Sequence, residues 1–266
     1  MTLVEMIVVI AITGIIGTVV AIFIKRPVEG YVDTVRRAEL TDIADTALRR
    51  ITRDLRSALP NSIRVDGTGK YIEFLQTSGG GRYRSEVNST GSGNTLDFTT
   101  ADTTFDVIGP APVLTGTESI VIYNLTADPT ITTANAYNGD NRGTNASGGA
   151  TVTFTAPPPG GPAAPFPYPS PGKRFQVVQY PVTYRCDTGT GILRRYWNYT
   201  IQLTPQPTPP SGGSNALLAT NVTDCNFTYS TSGVSGRTGV VALTIQVEQS
   251  NEKVRLFQQV HVSNVP

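Results

Sequence analysis

Histidine is nearly missing from this sequence: His261 is the only one in 266 residues. A Ser-His-Asp or Cys-His nucleophilic site would have to be built on it, and no nucleophile elbow stands nearby. Cysteine is almost as scarce. Cys186 and Cys225 lie 39 positions apart with no histidine between them, a spacing that matches no zinc-ligand pattern. There is no GxxxxGK phosphate loop, and no Asp/Glu pair carries a diagnostic hydrolase spacing. The chain also has no charge excess, since 21 basic side chains stand against 20 acidic ones. That balance excludes a general pull toward nucleic acid. No catalytic residue, cofactor or metal is expected. Asn138-Gly139-Asp140-Asn141, and Asp102 with Asp106, offer oxygen atoms but fall far short of a calcium ligand set.

What is present is glycine (26), proline (19) and many Thr, Ser and Asn residues, with charged residues at only 15%. This is the composition of a secreted, loop-rich β protein. Cys186 and Cys225 fit one disulfide in an oxidising compartment, and two buried free thiols are the alternative.

Residues 3–24, LVEMIVVIAITGIIGTVVAIFI, are apolar except for two threonines, two glycines and one acid, Glu5. As a helix these 22 residues extend about 33 Å, enough to cross a hydrocarbon core of about 30 Å. A cleavable signal peptide would carry a basic region ahead of a shorter apolar stretch and a small-residue cleavage site after it. Neither is present, so the segment is expected to be retained. A carboxylate in a membrane helix costs on the order of 2.5–3.5 kcal/mol at the bilayer centre and less near an interface, so Glu5 calls for a partner. Gly14 and Gly17 suit close helix contacts. Lys25 and Arg26 are placed to snorkel to the interface, and Pro27 marks an expected kink.

Met1-Thr2-Leu3-Val4-Glu5, followed by an unbroken apolar helix, resembles the start of mature type IV pilins and pseudopilins, the class III signal sequence family. In that family a short basic leader ending in Gly is removed by a prepilin peptidase, the new N-terminus is methylated, and the fifth residue is glutamate. The resemblance implies that Met1, where the family most often has Phe, is the site of processing and N-methylation. It also implies that Glu5 pairs with the N-terminal amine of Met1 on an adjacent subunit, neutralising two charges inside an apolar filament core.

After Pro27, apolar residues recur at Val28, Val32, Val35, Ile43, Ala47, Ile51, Leu55 and Ala58, spaced mostly by three or four, which reads as an amphipathic helix ended by Pro60. Beyond residue 63, strands are predicted over 71–76, 95–99, 119–123, 151–155, 175–178, 182–186, 192–199, 225–229, 240–248 and 253–262. The last two form a hairpin turning at Ser250-Asn251-Glu252, and 182–186 pairs with 192–197 in another, which a disulfide ties to the strand near Cys225. Residues 156–172, with eight prolines, and 204–214 read as surface loops, and 134–149 as a solvated linker.

The expected fold is α+β and pilin-like: 1–27 a membrane and filament-core helix, 28–60 an amphipathic helix, and 61–266 a head built as an antiparallel β-sheet with loop insertions. The layout resembles the larger minor pilins, most of all those of MSHA pili, and the J-type pseudopilins. The resemblance implies a non-enzymatic structural protein, with one span in the bacterial inner membrane and a periplasmic head, later carried into an extracellular pilus. Its implied partners are the inner membrane, the prepilin peptidase and other pilins or pseudopilins, met through their N-terminal helices. A large head suits a minor subunit of the tip or initiation complex. A type II secretion pseudopilin stays open as an alternative, as does a tip adhesin using the proline loop or Tyr184, Tyr196, Trp197 and Tyr199.

Overall fold

The computed structural model describes residues 2–156, 166–204, 210–231 and 237–266. One helix, α1 (Leu3–Arg56), dominates its length. At about 1.5 Å per residue it extends roughly 81 Å. The helix continues through Pro27, whose missing N–H removes one ladder bond. It stops where the Ser57 N–H donates to the Asp54 carbonyl and the Ala58 N–H to that of Leu55, with Pro60 three residues past Ser57. The apolar stripe is wider than the sequence pattern suggests. Leu40, Ala44 and Leu48 are buried together with Ala47, Ile51 and Leu55, whereas Val28, Val32 and Val35 stay exposed. The reason is that the last third of α1 is enclosed from two sides.

Nine strands form the larger sheet: β1 (Arg64–Val65), β2 (Tyr71–Tyr83), β3 (Thr104–Ile108), β4 (Leu114–Val121), β5 (Arg142–Gly148), β6 (Thr151–Thr155), β7 (Arg174–Asp187), β8 (Ile192–Trp197) and β9 (Ser214–Ala219). The other three, β10 (Val222–Ser230), β11 (Thr238–Gln249) and β12 (Glu252–Ser263), form an antiparallel sheet of their own. The final hairpin has the expected place. Gln249 faces Glu252, and the two-residue loop Ser250-Asn251 has φ of 50° and 67°, the left-handed geometry that matches strand twist. Val241, Leu243, Ile245 and Val247 point into the core.

The head departs from the expected simple sheet. β2 and β7 pair antiparallel from Tyr71 with Arg185 to Arg82 with Arg174, with irregularities around Gln76, Thr77 and Gly79. Beside α1, this pair carries β1 on one flank and β8 and β9 on the other. Past the irregularities each strand takes a new neighbour, and β2-β3-β6-β5-β4-β7 closes into a barrel. Two constraints explain the closure. The distal strands carry Phe105, Ile120, Val152, Phe154, Phe175 and Val177 toward one side, which only a closed ring or a second layer can bury. β2 and β7 also approach closely at Gly80, where a Cβ would lie 2.6 Å from the Phe175 carbonyl, so no larger residue fits.

Two further expectations are corrected. Residues 95–99 do not form a strand, because the Asp97 carboxylate takes the amide of Thr99 and the hydroxyls of Thr99 and Thr100, offering the backbone a turn instead. Residues 134–149 are not a solvated linker. Residues 142–148 form β5, and Ala134, Asn135, Ala136, Tyr137 and Asn141 are buried as a plug beneath the barrel. Asparagines supply the bonds that this plug needs. Asn124 accepts from the Ala136 amide and donates to the Pro60 carbonyl, and Asn135 donates to the Asp128 and Ile131 carbonyls.

A core of residues from α1 and both sheets holds the rod in place, and Cys186 of β7 is bonded to Cys225 of β10 inside it, with Cα atoms 6.5 Å apart. The disulfide therefore joins the two sheets on either side of the helix. Replacing both cysteines by alanine is expected to lower stability by about 3–4 kcal/mol, read as a drop in the urea midpoint of the detergent-solubilised protein.

Several carboxyls are held below the ordinary range by the hydrogen-bond donors they accept from. The Thr99 hydroxyl does this for Asp97, the Asn94 amide for Asp106, the Thr130 hydroxyl for Asp128, the Thr190 amide for Asp187 and the Lys70 ammonium for Asp224. Burial alone would raise Glu118, but the amide and hydroxyl of Thr115 outweigh it. Burial raises Asp140 despite its two amide partners. A depressed folded pKa adds stability above the unfolded value and loses it as pH falls through the folded one, so these six acids act together and Asp140 opposes them. The melting temperature is expected to be level near neutrality and to fall below about pH 4, with a smaller fall for Asp106→Asn.

Candidate functional site: a protruding apolar helix and its anchor

From Leu3 to the first buried residue, Leu40, almost the whole surface of α1 is open. Ile7, Ile10, Ile15, Val19, Phe23 and Ile24 are all exposed. The segment is apolar and long enough to cross a membrane, and none of its most apolar window is covered by the rest of the chain. At about 1.5 Å per residue, residues 3–39 project roughly 55 Å beyond the head. Such a surface is not stable in water and requires lipid or other apolar helices around it. Lys25 pairs with Glu29 at 3.6 Å where the polar stretch begins, and Val28, Tyr31, Val32 and Val35 carry apolar surface further toward the head.

Glu5 sits at the third position of this helix and closes a capping box. Its amide donates to Thr2 Oγ1 at 3.4 Å, while its carboxylate accepts from the Thr2 N–H at 3.2 Å. The only acid of the apolar stretch is thus held at the positive end of its own helix dipole, which offsets some of its desolvation cost. Met1, the expected processing position, lies outside the described residues.

At the other end of the rod, Asp54 anchors helix to head. Its Oδ2 accepts from Arg195 Nε of β8 and from the Tyr184 hydroxyl of β7, both at 2.7 Å. Arg50 approaches Oδ1 at 3.2 Å, outside hydrogen-bond geometry. Arg195 reaches on to Gln76 of β2 at 2.9 Å and stacks on Trp197. Asp54 and Arg195 are 4% and 5% exposed, so each charge depends on the other. Burial, and then the Asp54 charge, push the Tyr184 hydroxyl up, which keeps it a neutral donor.

A second buried pair lies beyond the helix end. Arg64 donates to Glu73 at 2.8 Å and to the carbonyls of Leu203 and Gln202, and its guanidinium lies 3.6 Å from the Tyr137 ring centre. Glu73 also accepts from the Tyr199 hydroxyl, which bonds Thr183. The aromatic group that the tip-adhesin alternative would use is divided. Tyr184 and Tyr199 are buried in these networks, leaving Tyr196 and Trp197 half-buried. In the two proline-bearing loops, residues 157–165 and 205–209 lie outside the described residues.

Among the described residues, no three His, Cys, Asp or Glu side chains gather as a metal site. The Asp140 carboxylate instead closes a turn on the amides of Ala134 and Asn135. Glu5, Cys186 and Cys225 were visible in the sequence, whereas Asp54 and Arg195 were missed as a pair. The available signal was strand alternation, since Arg195 shares the inward face of β8 with Leu193 and a buried cation requires an acid. No family model, curated protein or solved structure matches the chain.

Asp54→Ala is expected to cost about 3–5 kcal/mol by leaving Arg195 buried without its acid, and Asp54→Asn less. Chemical denaturation of the solubilised protein measures both, and a loss below about 1 kcal/mol for Asp54→Ala would remove the anchor role.

Proposed function

We propose that this chain is a minor pilin or pseudopilin: a non-enzymatic subunit stored in the bacterial inner membrane by α1, its head in the periplasm, and taken up into a pilus-like filament. The observation that carries this reading is the exposed apolar helix with its lone carboxylate at position 5. In the membrane, lipid covers the apolar surface and the capping box shelters Glu5. In the filament, neighbouring helices replace lipid, and the amine of a second subunit takes over some of that shelter by pairing with the carboxylate.

This pairing supplies register as well as attraction. A helix stacked out of step leaves a carboxylate and an ammonium separately desolvated, which costs several kcal/mol, so the register that joins them is selected. The exposed side chains of Val28, Tyr31, Val32 and Val35 extend the packing surface beyond the membrane-length segment. A barrel added to the pilin-like sheet makes the head bulky for a thin repeating filament. That favours a subunit present in few copies at the tip or in the initiation complex of a type IV, MSHA-like pilus.

Glu5→Leu and Glu5→Ala are expected to leave the protein in the membrane fraction while its recovery in sheared filaments falls at least about tenfold. Fractionation of the native host followed by immunodetection measures both quantities. Unchanged filament recovery for either variant would refute the proposed role of the carboxylate.

A further inference from the structure

At the far end of the barrel, cation stands opposite cation. Arg82 of β2 and Arg174 of β7 are register partners, which puts their Cβ atoms about 4.5–5.5 Å apart on one face. Tyr83 and Phe175, the next residues along, are buried, so the two arginines point outward. Lys173 adjoins them in a left-handed conformation, with φ of 54°, which a lysine seldom adopts. Arg84 completes the group but is held by Asp106 at 3.4 Å.

Arg82, Lys173 and Arg174 have no ion pair among the described residues, and segments 157–165, 205–209 and 232–236 contain no Asp or Glu to supply one. Like charges placed directly opposite on paired strands destabilise the pairing, and no ion pair among the described residues relieves these two. A local conflict of this kind, in strands that are otherwise consistently built, marks a position kept for something other than stability.

The surface there is concave. Two adjoining grooves of about 410 and 230 Å³ share Arg82 and Ile108 and hold all four cations along their walls. Glu86 is the single acid among the lining residues, and Gln176 adds an amide. The rim lies away from the apolar helix. α1 ends where Ser57 accepts from the Thr77 amide, and β2 runs on from Thr77 to Tyr83, some 20 Å at about 3.3 Å per residue.

We infer that this rim binds an acidic polysaccharide, whose sulfate or carboxylate groups bridge Arg82, Lys173 and Arg174. The cations supply charge-assisted donors at close spacing, and the Gln176 amide accommodates sugar hydroxyls. A single-stranded nucleic acid fits less well, because no exposed aromatic ring lines either groove to stack a base. The membrane that holds α1 is at the opposite end of the molecule. The site rests on the barrel and stands independently of the role given to the helix.

The test uses the full chain in detergent micelles, with heparin and polygalacturonate as acidic probes, dextran as the neutral one and a single-stranded DNA oligomer as competitor. Both acidic probes should bind, more weakly as salt rises, and dextran should not. Arg82→Gln/Arg174→Gln should weaken binding at least about tenfold and melt at the same temperature or higher, since it removes a repulsion. Arg53→Gln/Arg255→Gln, far from the rim, should change neither property. The inference is overturned if the acidic probes fail to bind, if dextran binds equally, or if the rim variant binds like the parent. Equal weakening by the distant variant, or a lower melting temperature of the rim variant, overturns it as well. Tighter binding of DNA than of either polysaccharide would reject the polysaccharide as partner.

Discussion

The Asp54 carboxylate lies in the last turn of an 81 Å helix, and the orientation of that helix on the head depends on what the carboxylate meets. It meets Arg195 and Tyr184, from two strands of the larger sheet, in a site nearly closed to water. Apolar packing of Leu48, Ile51 and Leu55 supplies most of the attraction but has little directional preference. The buried ion pair adds direction, because a small rotation of the helix would pull apart opposite charges that no solvent can reach. Arg37, paired with Glu252 at the β11–β12 turn, fixes the helix again where it leaves the head.

With its direction set, the rod separates two environments. On one side the apolar segment is bare, and its only carboxylate is folded back on its own N-terminus. On the other, the helix end meets β2 at Ser57 and Thr77, and past that point the helix no longer covers the inner face of the strands. Barrel closure follows from this absence: a sheet that has lost its helical cover must bury Phe105, Phe154 and Phe175 against itself. The same closure carries Arg82 and Arg174 to the far rim.

Strands with strong alternation were legible residue by residue. β11 alternates Val241, Leu243, Ile245 and Val247, β12 places Val254, Leu256, Val260 and Val262 on one face, and the turn between them uses residues that tolerate positive φ. β5 was not legible, since its sequence RGTNASG has no apolar period. Its inward positions are Gly143 and Ala146, and a Cβ on Gly143 would meet the Phe154 ring at 2.4 Å, so smallness is what packing requires there. Burial of the 134–141 plug was hidden for a related reason. Asn124, Asn135 and Asp140 satisfy the backbone of an irregular loop, and such side chains read in sequence as facing solvent.

The sequence by itself determined that a long apolar helix leads the chain with one acid near its start, that a β-rich head follows, and that two cysteines are available to pair. Those features are local in period or singular in number, so composition and spacing reveal them. Tertiary structure alone decided that β2 and β7 pair along their whole length and close a barrel, that Asp54 finds Arg195 across 141 positions, and that Arg82 faces Arg174. Each of these joins residues far apart in the chain. Their pairing depends on strand register and on which face is left uncovered, neither of which has a period that a single sequence can display.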